Sequence, residues 1–116
     1  MAEFSTLIRE NNDVSIIELK GFLDAHTAPQ LENAFTDLIN KKRFKIIVNF
    51  KNLEYISSAG LGVFMAFVET VRDNGGDIKL TDMTQKVFNI FDLLGFPLLY
   101  QIFDKEEEAV NIFNEA

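Results

Sequence analysis

Three features of the chain predict an α/β fold with the element order ββαβαβαβα. They are apolar runs that alternate or continue unbroken, apolar stripes spaced three and four residues apart, and glycine or hydroxyl punctuation between them. Alternating strands and helices imply a mostly parallel five-stranded sheet with right-handed crossovers and four main helices. The first strand, joined to the second by a short link, is expected antiparallel at or near an edge. With 116 residues, 47% of them apolar and 25% charged, the chain has the size and composition of one globular domain, residues 1–116, without repeats or linkers.

Phe4, Thr6 and Ile8 alternate with Ser5, Leu7 and Arg9, which suits a strand with one better-buried face. Glu10 to Asp13 is a turn by composition, and Val14–Lys20 is a second strand rich in Val, Ile and Leu. After a loop at Gly21–His26, Thr27-Ala28-Pro29-Gln30 matches a capping box, with Thr27 as cap and Gln30 reaching back. Leu31, Ala34, Phe35, Leu38 and Ile39 then make one helical stripe. Lys41-Lys42-Arg43-Phe44-Lys45 reads as a helix end where cations complement the dipole, with a patch for anionic surfaces as the alternative.

Ile46–Phe50 is nearly all apolar, as expected of a central strand covered on both faces. A loop is predicted over Lys51–Ser57, and Leu61, Phe64, Met65, Val68 and Val71 resume helical spacing. Asp73-Asn74-Gly75-Gly76 stops that helix, with Gly75 or Gly76 suited to a left-handed conformation. A short strand around Ile78 and Leu80 follows, then a helix capped by Asp82 or Thr84 with Val87, Ile90, Phe91 and Leu94 inward. Gly95-Phe96-Pro97 ends it, Leu99–Phe103 is the last strand, and Lys105–Ala116 is a last helix anchored by Val110 and Phe113.

Composition removes several functions. The chain has no cysteine, which excludes disulfides, thiolate metal sites and cysteine nucleophiles. A net charge of −7, from 11 basic and 18 acidic side chains, argues against direct nucleic acid binding. There is no apolar run long enough to span a membrane and no signal segment, so the expectation is a cytoplasmic protein without membrane insertion. His26 is the sole histidine, and Ile56 stands where a nucleophile elbow needs glycine, so neither a Ser/His/Asp site nor a metal site is expected. Gly60-Leu61-Gly62 continues into neither a dinucleotide fingerprint nor a P-loop. The protein is therefore expected to be no enzyme and to hold no cofactor.

The loops after the second and third strands both lie at carboxyl ends of parallel strands and share one rim, where open α/β sheets place ligands. Asp24 and Ser57/Ser58 are thereby candidate neighbours. In Tyr55-Ile56-Ser57-Ser58-Ala59-Gly60-Leu61-Gly62 a hydroxyl opens a helix and two glycines follow, each costly in a helix, which implies close approach to the backbone. A serine there serves as N-cap or as phosphoacceptor, and the two roles are compatible. Phosphate on Ser58 would meet free N–H groups and add about −1.5 to −2 charges near Asp24. Leu23, Ile56, Phe96 and Leu98 read as loop residues packed under the core; Leu23 and Ile56 become anchors for a protein partner if both are exposed on the rim.

Tyr55–Gly62, together with Gly21-Phe22-Leu23-Asp24-Ala25-His26-Thr27-Ala28 and the element order, resembles the STAS domain of bacterial anti-sigma factor antagonists over essentially the whole chain. The resemblance implies a non-enzymatic switch that binds an anti-sigma factor with a histidine-kinase-like ATPase fold and frees its sigma factor. It implies phosphorylation by that partner on the serine falling at Ser58, with Ser57 as the alternative, and resetting by a serine phosphatase. The partner-binding residues implied or placed on the rim are Leu23, Asp24, Ile56, Ser57, Ser58, Ala59 and Gly60. Ser57 stands where the family often has aspartate. Two other readings use the same rim: an unphosphorylated STAS scaffold of a stress-signalling or transporter complex, and a small-molecule or nucleotide-binding domain. A deep pocket with converging polar groups would favour the last.

Overall fold

The computed structural model describes residues 3–95 and 99–115. β1 (Ser5–Asn11) and β2 (Val14–Leu23) form an antiparallel hairpin, turned by Asn12 at φ 58°, a left-handed conformation that asparagine tolerates. β3 (Lys45–Ile56), β4 (Asp77–Thr81) and β5 (Ile102–Phe103) extend the sheet in the order β1-β2-β3-β4-β5, all parallel from β2 onward. α1 (Ala28–Asn40), α2 (Ser58–Asp73) and α3 (Gln85–Leu93) are the crossovers, and α4 (Glu106–Glu115) follows the last strand. In a sequential parallel order, right-handed crossovers place every connecting helix on the same face. Accordingly α1, α2 and α3 share one core with Ile17, Ile46, Val48, Ile78 and Leu80, while α4 packs Ala109 and Phe113 against Val14, Ile16 and Ile47 on the other face.

The larger core is built on phenylalanine. Phe64 of α2 lies 5.7 Å, centroid to centroid, from both Phe35 and Phe50, and 6.3 Å from Phe91. Tyr100 closes this cluster 6.4 Å from Phe64, and burial pushes its phenol up to about 12, so it stays neutral at physiological pH.

Several local expectations change. β2 runs on to Leu23 and β3 to Ile56, so the predicted loops at Gly21–His26 and Lys51–Ser57 are mostly strand. The cause is visible in the register: β3 carries extra residues between Glu18/Lys20 and between Gly21/Phe22 of β2, and such bulges break period two. β5 is shorter than predicted, and α4 begins at Glu106. Met65 and Leu94, expected inward, are exposed, and Val63 takes a buried place on α2 instead. Thr84, not Asp82, caps α3 by accepting from Val87 N at 3.3 Å. Gly75 takes φ 85° after α2, as its terminal position requires. Arg43 pairs with Glu10 and bonds Ser15 and the Asn12 carbonyl, and Lys45 pairs with Asp13. These contacts pin the end of the first crossover to the hairpin and spend two cations of the basic run. Phe96 and Leu98 lie outside the described residues.

Polar residues of β4 that should alternate outward are covered by α4. Lys79 and Thr81 are buried, and Lys79 Nζ lies 3.2 Å from Asp77 Oδ2, bonds Gln101, and sits 4.7 Å above the Phe113 ring. At the start of α4, Glu106 accepts from Arg9 at 2.6 Å and from Asn49 at 2.9 Å, while Arg9 also holds Glu18 and Asn49 bonds Asp82. Burial works against the Glu106 charge, but the Arg9 and Asn49 hydrogen bonds outweigh it and hold the carboxyl below its ordinary value of 4.5. A depressed carboxyl stabilises the fold above its unfolded pKa, and this contribution is lost as pH falls through the lower folded value. We expect Glu106→Gln to lose about 0.5–1 kcal/mol at neutral pH, solvent screening keeping it small, and to converge on wild type as the pH falls below the depressed folded value of the carboxyl. Urea midpoints against pH check this; a difference that persists unchanged into acid would exclude the ion pair as its source.

Candidate functional site

Leu23 and Ile56 end β2 and β3 as a registered pair, and Ser57 N donates to the Leu23 carbonyl at 2.9 Å. Asp24 and Ser57 are the next residues of the two strands, so the rim predicted from connectivity brings them together. Asp24 shapes its own turn: Oδ1 accepts from His26 N at 2.9 Å and Thr27 N at 3.1 Å, and its carbonyl accepts from Ala28 N at 2.8 Å. The Thr27 hydroxyl accepts from Asp24 N and donates to the Phe22 carbonyl, both at 2.9 Å. Thr27 already has helical backbone angles (φ −98°, ψ −13°) and makes no cap bond, which corrects the capping box. Asp24, three residues earlier, instead closes the turn that leads into α1, its carboxylate reaching two N–H groups at once.

On the other side of the rim the two serines divide their tasks. Ser57, extended at φ −97° and ψ 171°, is the N-cap of α2, its Oγ accepting from Gly60 N at 3.3 Å. Its carbonyl accepts from Leu61 N at 3.0 Å. Ser58 is exposed in the first turn, and among the described residues no hydrogen bond engages its hydroxyl. Ala59 is exposed beside it, whereas Gly60 is buried.

The two glycines of the motif differ. A Cβ on Gly60 would stand 2.8 Å from Leu23 Cγ and 3.1 Å from both Ile56 Cγ1 and the Leu23 carbonyl oxygen, while at Gly62 there is open space. Only Gly60 answers the expectation of close approach: it lets the first turn of α2 rest on the strand ends. Gly60→Ala should destabilise by about 1–3 kcal/mol through overpacking, and Gly62→Ala should stabilise by about 0.5–1 kcal/mol through helix propensity. Denaturation of the pair measures both, and equal effects would refute the distinction.

Leu23 and Ile56 are fully buried, so they carry the rim from beneath and the condition for reading them as exposed anchors is not met. The exposed apolar groups are Phe22 and Tyr55, 42% and 39% accessible, with ring centroids 6.0 Å apart. Sequence reasoning missed them by treating both stretches as loops. Alternation offered the signal, since each aromatic precedes a buried residue at a strand end. Beside Asp24 an open hollow of about 490 Å³ is lined by Phe4, Phe22, His26 and Thr27 among others. Among the described residues no three side chains are grouped to hold a metal, and no helix is long and apolar enough to cross a membrane.

The STAS domain family matches residues 5–109. The chain belongs to the STAS domain family. Its relatives include the anti-sigma F factor antagonist of Paenibacillus polymyxa, 27% identical over 104 residues that make up 89% of each chain. The anti-sigma-B factor antagonist of Bacillus subtilis (strain 168) is 26% identical over 103 residues, 89% of this chain and 94% of the relative. The anti-sigma factor antagonist SpoIIAA in its unphosphorylated form has the same fold, with a TM-score of 0.83 at 22% identity over 97% of this STAS domain and 98% of its own chain.

Proposed function

We propose that this STAS domain is an anti-sigma factor antagonist, which binds an anti-sigma factor with a histidine-kinase-like ATPase fold and thereby frees the sigma factor. Phosphorylation of Ser58 by that partner switches binding off, and a serine phosphatase restores it. The relatives named as antagonists support the binding role, and no catalytic step falls to this chain.

The observation that carries the switch is the division of labour between the serines. Ser57 Oγ is committed to the cap, while Ser58 Oγ is exposed and uncommitted. In the transfer, Ser58 Oγ bonds to the γ-phosphorus of ATP, ADP leaves, and the hydroxyl proton passes to a base on the partner. Gly60 N and Leu61 N already serve Ser57, which leaves the earlier N–H groups of α2 to receive the phosphate. The modification then adds charge to a chain already at −7 without requiring refolding, and acts by repelling the partner. Asp24, Ser57, Ser58 and Ala59 form the recognised rim, with Leu23, Ile56 and Gly60 as its support.

Incubation with the cognate kinase and ATP, followed by mass spectrometry, should place phosphate on Ser58. Modification confined to Ser57, or of neither serine, would end this assignment.

A further inference from the structure

A second concave site lies away from the serines. Lys20 of β2, Lys51 of the bulged half of β3 and Lys86 in the first turn of α3 line one open basin of about 660 Å³. The basin lies at the bulges: Lys20 pairs with Asn52, and β3 carries extra residues on either side of that pair, where bulges turn side chains from the regular alternation. Elsewhere in the molecule Arg9, Arg43, Lys45, Arg72 and Lys79 each hold a carboxylate. Among the described residues no ion pair engages Lys20, Lys51 or Lys86, although acidic side chains outnumber basic ones by 18 to 11. Three exposed cations lining one basin of an acidic protein repel one another, and an anion held between them would relieve that repulsion.

We infer that this basin binds a compact polyanion, of the oligophosphate or polycarboxylate class. Asn52 adds an amide donor, and the Thr84 hydroxyl, whose oxygen accepts from Val87 N in the α3 cap, keeps its O–H to donate. None of the described lining residues is aromatic, so nothing there stacks a nucleobase and the recognised part is the anion alone. Glu54, the one carboxylate among the described lining residues, opposes the anion and limits affinity. The site is independent of the proposed role of Ser58.

The full chain, titrated with inorganic tripolyphosphate and with citrate at low ionic strength, tests the inference through its lysine side-chain NMR signals. Saturable shifts are expected at Lys20, Lys51 and Lys86 with an apparent Kd below about 1 mM, and only weak, non-saturating shifts at Lys41, Lys42 and Lys105, which likewise hold no carboxylate among the described residues. Tripolyphosphate above citrate identifies the phosphate class, and the reverse the carboxylate class. Each Lys→Gln replacement should weaken binding about fivefold and E54Q should tighten it about fivefold. These side chains are exposed, so unchanged circular dichroism confirms that the variants fold. Equal shifts at all six lysines, or no saturation by about 10 mM, would overturn the site. ATP binding tenfold more tightly than tripolyphosphate would overturn the compact-anion assignment.

Discussion

Ser58→Asp is expected to weaken binding to the anti-sigma factor by about a hundredfold, while moving the unfolding midpoint by no more than a surface substitution does. The two halves of this expectation have separate causes. Ser58 is exposed and its hydroxyl holds no partner among the described residues, so replacing it removes no intramolecular bond. A carboxylate in the first turn of α2 meets a favourable helix dipole, which is mildly stabilising. Across an interface, in contrast, an unmatched charge costs several kcal/mol because it is desolvated without compensation or set against like charge. Ser57→Ala is the informative companion: it removes the Gly60 cap bond and should cost about 1 kcal/mol of stability. Calorimetric titration with the partner and thermal unfolding of the same variants separate the effects. Equal affinity of wild type and Ser58→Asp would remove Ser58 from the switch.

Phe64→Ala should have the largest effect on folding, about 3–5 kcal/mol. Its ring is fully buried and stands within 5.7 to 6.4 Å, centroid to centroid, of Phe35, Phe50, Phe91 and Tyr100, which come from α1, β3, α3 and the segment before β5. Deleting it opens a cavity where four elements meet, and rings already held by one another cannot close it. Against a total stability of about 5–15 kcal/mol this is a substantial fraction. Phe64→Leu, which keeps most of the volume, should lose about 1–2 kcal/mol. Denaturant midpoints at unchanged slope measure both; a loss under about 1 kcal/mol for alanine would mean that the cluster repacks.

Much of the fold is legible in the chain because the signals are local. The stripe Leu31–Ala34–Phe35–Leu38 needs only the helical period to be read as buried, and it is buried. The stretch Lys51–Ile56 was illegible for an equally physical reason: bulges interrupt the ladder, and polar Lys51, Asn52 and Glu54 then look like a loop. Thr27 misled because its hydroxyl is taken up by Asp24 N and the Phe22 carbonyl, partners that lie before α1 and that the chain alone does not reveal. Leu94 falls in phase with the α3 stripe but beyond the end of α3, where the period no longer governs where it points.

By itself the sequence determined the element order, the parallel sense of β2 to β5, and the meeting of Asp24 with the serine pair. These follow from hydrophobic period and from the handedness of crossovers, neither of which needs coordinates. Only the tertiary structure decided that Leu23 and Ile56 face inward while Phe22 and Tyr55 face out, that Gly60 and not Gly62 is sterically required, and that Ser57 caps the helix while Ser58 stays uncommitted. A shift of one residue turns every strand side chain to the opposite face, and a bulge makes that shift without leaving a reliable mark in the pattern.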